Sequence, residues 1–189
     1  MRLPPMIAAT SMVAAVAVAQ PAQAQQEVAP SRVEAERGAP YAVGTFEDWE
    51  VRCIRGDDPG TDPCQMSQRL LSEDGSPTAE VNVFPVPDNP QIVAAATIVT
   101  PLETLLTRGV TFAIDGAGAG DFPFQFCNRQ GCVAQLGFTA DEIETLKAGS
   151  AARLTIYPVA APENAVNLTM SLAGFTAGFE SMVPLPGLQ

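Results

Sequence analysis

Short stretches of alternating apolar and polar residues run through most of this chain, and Gly, Pro, Asn and Asp separate them. In residues 46–53, Trp49, Val51 and Cys53 fall on one face while charged residues fall on the other. A period of two over about four to eight residues is the signal of a half-buried β-strand. Similar stretches, or continuous apolar runs, occupy residues 64–71, 78–84, 91–99, 110–114, 154–156 and 166–172.

The number and spacing of these strands predict the fold class. Many short strands separated by turn residues are typical of domains built from antiparallel sheets. We therefore predict an all-β, mainly antiparallel fold. It is either a two-sheet β-sandwich or a flattened barrel, with one short helix near residues 139–148.

The helix prediction rests on a capping signal. Thr139 is followed three residues later by Glu142, which is the spacing of a capping box. Ile143 and Leu146 then lie three residues apart and share one helical face. Gly149 then stands where such a helix would end.

Two other segments allow local predictions. Leu102, Leu105 and Leu106 have helical spacing, so residues 101–107 are predicted to form a short helix or a turn. The glycine-rich residues 115–121 lack the glycine and lysine pattern of phosphate-binding loops. We interpret that segment as a flexible hairpin connection to a strand that begins at residue 122.

The first residues have the layout of a secretory signal peptide. Arg2 is followed by an apolar run over residues 6–19, then by Pro21 and the small-x-small triplet 22–24. We predict a signal peptide over residues 1–24, with cleavage after Ala24. The run is shorter than the roughly 20 apolar residues of a membrane span. No second long apolar run follows in the sequence, so no transmembrane segment is expected after signal removal.

Removing the signal leaves 189 − 24 = 165 residues, which suits one domain with a real core. Residues 25–40 lack apolar periodicity and are predicted to form a flexible N-terminal segment. The β-sandwich domain is predicted over residues 41–180. The Pro-rich residues 181–189 are predicted to be a disordered tail.

Charge narrows the classes of partner. The chain has 10 basic and 21 acidic residues, and loss of Arg2 with the signal gives 9 − 21 = −12. Binding to nucleic acid depends on neutralising phosphates, so an acidic surface disfavours it. Attachment to an anionic membrane surface is disfavoured for the same reason.

The absence of His limits the available chemistry. No His occurs in the sequence, which removes the commonest general base and the Ser-His-Asp and Cys-His nucleophile systems. We predict no cofactor, no metal site and no catalytic residues. The alternative is an envelope enzyme that uses carboxylates such as Glu47, Asp48 or Glu103.

The four cysteines, an even number in an exported chain, predict two disulfides. Of the three pairings, we favour Cys53–Cys64 and Cys127–Cys132. The second pair flanks a four-residue turn, and the first closes an irregular loop. Redox enzymes use a two-residue spacer, whereas the spacers here have ten and four residues. We therefore expect the disulfides to be structural.

Three phenylalanines are candidates for a binding surface. Phe122, Phe124 and Phe126 precede the second cysteine pair at alternate positions. They either all face the core or place some rings in an exposed apolar groove that recognises a partner.

The chain also resembles a known family. Residues 44–53 (GTFEDWEVRC), 98–106 (IVTPLETLL), 123–132 (PFQFCNRQGC) and 166–175 (VNLTMSLAGF) are similar to motifs of the invasion-associated locus B family. The resemblance implies a β-sandwich and an exported bacterial protein of the periplasm or envelope. The family takes its name from host-cell entry, and it offers no catalytic residues to carry over.

Together these observations predict a periplasmic or secreted protein that acts by binding rather than by catalysis. The expected partner is another envelope protein, a host protein or a small ligand. In a pathogen, that binding would be linked to host-cell invasion.

Overall fold

The computed structural model describes residues 29–72 and 75–182. The predicted signal peptide, its cleavage site at Ala24 and residues 183–189 of the predicted tail lie outside these residues. Within them, neither helix has the length and apolar composition needed to cross a membrane.

The described residues form two antiparallel sheets. The larger sheet has seven strands in the order β1-β2-β3-β4-β5-β9-β8, and the smaller has four in the order β11-β10-β6-β7. This arrangement confirms the predicted all-β sandwich. The strands are β1 (Pro40–Phe46), β2 (Trp49–Ile54), β3 (Cys64–Leu71), β4 (Pro77–Pro85), β5 (Ala94–Thr100), β6 (Val110–Ile114), β7 (Ala117–Phe122), β8 (Phe124–Asn128), β9 (Gly131–Phe138), β10 (Ala151–Ile156) and β11 (Val166–Ser171).

The core lies between the two sheets, and it forms because apolar side chains alternate along the strands. Val51, Met66 and Ile98 of the larger sheet belong to one buried cluster with Phe112 and Leu168 of the smaller sheet. Burial of such side chains stabilises the fold by about 1.5–3 kcal/mol each. The period-two pattern in the sequence therefore identifies the faces that meet.

Polar contacts connect the two sheets at one point. The indole Nε1 of the fully buried Trp49 donates a hydrogen bond to the Ser171 carbonyl at 3.0 Å. The Gln68 amide donates to the same carbonyl at 3.1 Å and accepts from the Ser171 N–H at 2.8 Å. Gln68 is buried, and both its donor and its acceptor group have hydrogen-bond partners, as buried polar side chains require.

The predicted helix is present as α1 (Ala140–Ala148), and a second helix, α2 (Phe175–Met182), was not predicted. The Thr139–Glu142 capping box of α1 has both of its reciprocal hydrogen bonds. In α2, Phe175, Gly178, Phe179 and Met182 are buried at helical spacing. Gly174 just before the helix and Gly178 within it obscured that pattern in the sequence. The helix reaches residue 182, so it includes two residues assigned to the tail.

Two local predictions need correction, and a third is met by one of its two alternatives. Residues 46–53 are not one strand, because a tight turn at Glu47, which has φ 51°, separates β1 from β2. Residues 101–107, predicted to form a short helix or a turn, form turns, with a 3₁₀ turn at Leu106–Arg108. The glycine-rich segment is itself strand β7, and its connection is the two-residue turn of Asp115 (φ 46°) and Gly116 (φ 85°).

Candidate binding cleft

The first candidate region is the end of the larger sheet where β2 finishes and β3 begins. The structure pairs Cys53 with Cys64 across these strands, with 4.0 Å between the Cα atoms. The Ile54 N–H donates to the Pro63 carbonyl at 2.9 Å, which continues the pairing beyond the disulfide. Residues 55–63 therefore leave and re-enter the sheet at a fixed point.

Asp62 anchors this loop from within. Its carboxylate accepts hydrogen bonds from Arg32 Nε at 2.6 Å, from the Tyr41 hydroxyl at 2.8 Å and from the Gly56 N–H at 2.7 Å. The Asp62 side chain is only 1% exposed. The Arg32 hydrogen bond, with smaller effects from the Gly56 and Tyr41 hydrogen bonds, lowers the pKa of Asp62 from 3.8 to about 2 against the opposing effect of burial.

The N-terminal segment packs against the same loop. Besides the Arg32 contact, the Gly38 N–H donates to the Arg55 carbonyl at 2.8 Å, and the Ala42 N–H donates to the Pro30 carbonyl at 3.0 Å. Ala35 is 4% exposed in a small cluster with Tyr41 and Cys53. Sequence reasoning expected a flexible lead-in over residues 25–40. The described part, residues 29–40, makes these specific contacts through ion pairing and backbone hydrogen bonds.

A cleft of about 1080 Å³ opens beside the Cys53–Cys64 disulfide. Its walls come from the end of β2, the start of β3, the end of β4, the residue before β5 and the C-terminal turn of α2, so distant parts of the chain meet there. Most of the lining is apolar. The apolar lining includes Ile54, Phe84, Val86, Val93, Phe179 and Met182, and the polar lining includes Arg52 and Gln65.

The polar side of the cleft is small and rich in donors. Arg52 and Gln65 are cross-strand partners in β2 and β3, and both line the cleft. The Arg52 guanidinium also pairs with Glu50 at 2.8 Å, and both of those side chains are close to half exposed. An exposed pair of this kind contributes little stability, so Arg52 can exchange its partner at small cost.

The walls offer few other donors. Four prolines, Pro40, Pro63, Pro85 and Pro87, line the cleft, and proline has no N–H. Many of the remaining backbone N–H groups are already used within the protein. Those of Ile54, Thr61, Val86 and Val93 donate to backbone carbonyls, and that of Gly60 donates to the Asp58 carboxylate.

The three predicted phenylalanines do not form one surface. Phe122 belongs to the smaller sheet and Phe124 to the larger one, and both pack half-buried against the main core. A register shift between Phe124 and Phe126 turns the next side chain outward, and Phe126 is 53% exposed. Phe126 is the cross-strand partner of Val133, and it stays a candidate for surface contacts, whereas Phe122 and Phe124 serve the core.

The second disulfide lies at a hairpin tip. Cys127 and Cys132 are Cα partners at 4.0 Å in β8 and β9. The Asn128 side chain accepts from the Gln130 N–H at 2.8 Å and from the Gly131 N–H at 3.3 Å. This turn is therefore held by contacts within a few residues.

The carboxylates of the enzymatic alternative do not meet in the cleft. Glu47 and Asp48 occupy the exposed turn between β1 and β2. Glu103 is exposed in a loop, where its carbonyl accepts a hydrogen bond from the Val159 N–H at 2.8 Å. None of these three lines the cleft. Within residues 29–72 and 75–182, no group of three or more His, Cys, Asp or Glu side chains is placed to hold a metal ion.

Sequence reasoning identified the disulfide in the cleft wall but missed the cleft itself. Prolines near the end of β4, such as Pro85 and Pro87, indicate that backbone N–H donors are scarce in this part of the chain. No local spacing showed that Phe179 or Met182 would join them, because these residues lie about a hundred positions away in the chain.

Comparison with known proteins identifies relatives of this chain. The sequence profile of the family described as Invasion associated locus B (IalB) protein matches residues 49–183. Two Invasion protein B homologs of Brucella abortus, from strain 2308 and from biovar 1 strain 9-941, are 27% identical over 149 residues, covering 78% of this chain and 83% of each relative.

A solved structure also has the same fold. The crystal structure of invasion associated protein B from Bartonella henselae superposes with a TM-score of 0.62 at 21% sequence identity. The match covers 74% of this chain and 92% of that chain. The two-sheet sandwich is therefore shared with a protein whose structure was determined by crystallography.

Proposed function

Because this chain belongs to the invasion-associated locus B family, we propose that it acts outside the cytoplasm as a non-catalytic binding protein. The cleft beside the Cys53–Cys64 disulfide is the proposed binding site. One observation carries this proposal: the cleft of about 1080 Å³ is lined mainly by apolar side chains. Ligand sites are typically concave, mostly apolar and about 300–1,000 Å³ in volume. A link to host-cell entry belongs to the same proposal, since the relatives are named for invasion.

Export is supported by two independent features. The signal-like layout of residues 1–24 and the two cysteine pairs at disulfide distance both fit an oxidising compartment. Expression of the full chain in a Gram-negative host, followed by cell fractionation and intact mass measurement, tests this. We expect an oxidised periplasmic product that begins at Gln25. A cytoplasmic product that retains residues 1–24 would contradict export.

The non-catalytic part of the proposal is supported by the composition and by the cleft lining. The sequence has no His, and Asp62, the only carboxylate among the described residues of the lining, is already bound by Arg32. A general base needs an available lone pair within reach of its substrate. A turnover screen with esters and peptides is therefore expected to be negative. Activity abolished by a single side-chain change would favour the carboxylate enzyme.

The binding site is tested by a matched pair of variants. Ile54 is 42% exposed and lines the cleft, whereas Leu71 is 51% exposed on another part of the same sheet and lies outside it. Ile54→Glu puts a charge into the apolar cleft, and Leu71→Glu makes the same change elsewhere.

Both variants and the wild type are incubated with envelope extract and examined by native mass spectrometry. We expect a bound species on the wild type and on Leu71→Glu that is absent from Ile54→Glu. Equal retention by Ile54→Glu would show that binding does not use the cleft.

A further inference from the structure

We propose that the cleft takes a single-chain amphiphile, with its hydrocarbon tail in the apolar part and an acceptor-rich, anionic head group at Arg52 and Gln65. This inference rests on the proposed binding function and names the chemical class of the ligand. It follows from three observations, namely the apolar walls, the scarcity of free donors and the position of one cation.

The walls suit a flexible hydrocarbon. Ile54, Phe84, Val86, Val93 and Met182 present aliphatic or aromatic surface to the same space. Each methylene buried there contributes about 0.8 kcal/mol, and no directional partner is required.

The scarcity of donors argues against a peptide as the occupant. A peptide that entered the cleft would bury its carbonyl groups, and each would need a hydrogen bond to replace water. The prolines supply no N–H, and the N–H groups of Ile54, Val86 and Val93 are used within the fold. A hydrocarbon chain has no such groups to satisfy, so the same walls accept it without loss.

The polar side of the cleft selects the head group. Arg52 and Gln65 stand side by side, and the Gln65 amide donates one of its two N–H groups to Asn82 at 3.3 Å, which leaves the other for a ligand. The other charged group in the lining, Asp62, is buried and neutralised by Arg32. Among the described residues that line the cleft, Arg52 is therefore the one unburied charge. Its partner Glu50 is held only in an exposed ion pair, so a carboxylate or phosphate can replace Glu50 at the guanidinium.

The acidic surface does not oppose this binding as it opposes a membrane. The full sequence has a net charge of −11, and an extended anionic bilayer would be repelled by this charge over a wide surface. A single head group meets only its near neighbours, because salt screens charges beyond about 8 Å at physiological ionic strength.

The test uses purified oxidised protein and defined single-chain ligands below their micelle concentrations, with affinities measured by isothermal titration calorimetry. Dodecanoate and dodecyl phosphate are the anionic ligands, and dodecyltrimethylammonium has the same tail with a cationic head. We expect the anionic ligands to bind about tenfold more tightly than the cation. Tetradecanoate should bind more tightly than dodecanoate by about fourfold per added methylene.

Variants assign the two parts of the site. Arg52→Gln is expected to remove the preference for anionic heads while the chain-length dependence remains. Ile54→Glu should abolish binding of all the ligands, and Leu71→Glu should bind like the wild type. The ratio of dodecanoate to dodecyl phosphate affinity shows which of the two anionic heads the site prefers.

Failure of this inference can be separated from failure of the proposed function. If the cleft retains an envelope component in an Ile54-dependent way but binds no alkyl ligand, the ligand class is wrong and the binding function stands. Preferential binding of an apolar peptide, such as one with the sequence of residues 183–189 (VPLPGLQ), would also overturn the ligand class. If Ile54→Glu changes neither alkyl binding nor capture, both proposals fail.

Discussion

The Cys53–Cys64 and Cys127–Cys132 disulfides both connect Cα partners of adjacent antiparallel strands, with 4.0 Å between the Cα atoms in each pair. Their surroundings differ. Cys53 is buried beside the cleft, and the loop it closes is fastened to the N-terminal segment through Asp62. Cys127 lies exposed at a hairpin tip whose turn is held by the Asn128 side chain.

The difference shows that equal geometry does not mean an equal role. The hairpin disulfide reinforces a turn that already has its own hydrogen bonds. The cleft disulfide fixes the exit and return of a loop that contacts residues far away in sequence. Of these two disulfides, only Cys53–Cys64 links a covalent bond to the shape of a candidate binding site.

The sharpest test of this comparison removes the cleft disulfide. Cys53→Ala with Cys64→Ala opens a loop of sequence separation 11, so we expect the free energy of unfolding to fall by about 3 kcal/mol. Binding of dodecanoate should also be lost, because the cleft wall loosens. Urea unfolding and calorimetry measure the two effects. Unchanged binding would separate this disulfide from the cleft.

The matched change removes the hairpin disulfide. Cys127→Ala with Cys132→Ala opens a loop of sequence separation 5, so the expected loss of stability is about 2 kcal/mol. Dodecanoate affinity should stay at the wild-type value. The same two measurements apply, and a loss of binding here would mean that the two ends of the sheet are coupled.

Acid titration examines the Asp62 anchor. Its pKa is lowered from 3.8 to about 2 in the folded protein, so the stabilisation is complete above about pH 4 and is lost as the pH falls through about 2. We expect the urea midpoint of the wild type to fall across this window. Asp62→Asn should lack the stabilisation by the ionised carboxylate at every pH, so its urea midpoint should depend less on pH.

Asp57→Asn is the control for that titration. Asp57 forms an exposed ion pair with Arg37, and exposed pairs contribute little. The urea midpoint of Asp57→Asn should change with pH in the same way as that of the wild type. If Asp62→Asn also followed the wild type, the Arg32–Asp62 contact would not contribute to stability.

The smallest expected effect concerns Phe126 beside the hairpin disulfide. Because its ring is 53% exposed, Phe126→Ala should change the free energy of unfolding by no more than about 0.5 kcal/mol. Phe124→Ala should cost several times more, since that ring packs against the core. Comparable losses at both positions would show that the register shift does not separate the two rings.

The sequence alone determined most of the secondary structure and the family. Alternation placed the strands, the Thr139–Glu142 pair placed α1, and spacing favoured the two cysteine pairs that the structure holds at disulfide distance. All of these signals act between residues close in the chain or between faces repeated along one strand. Local stereochemistry and burial therefore suffice to read them.

Only the tertiary structure decided which surfaces exist. The cleft brings Pro40, Arg52 and Met182 to one place, and Asp62 meets Arg32 across thirty positions of sequence. The outward turn of Phe126 depends on a single register shift. These outcomes follow from how the strands pair and where helix α2 packs. Such long-range contacts depend on the free energy of the whole fold, so no local pattern specifies them.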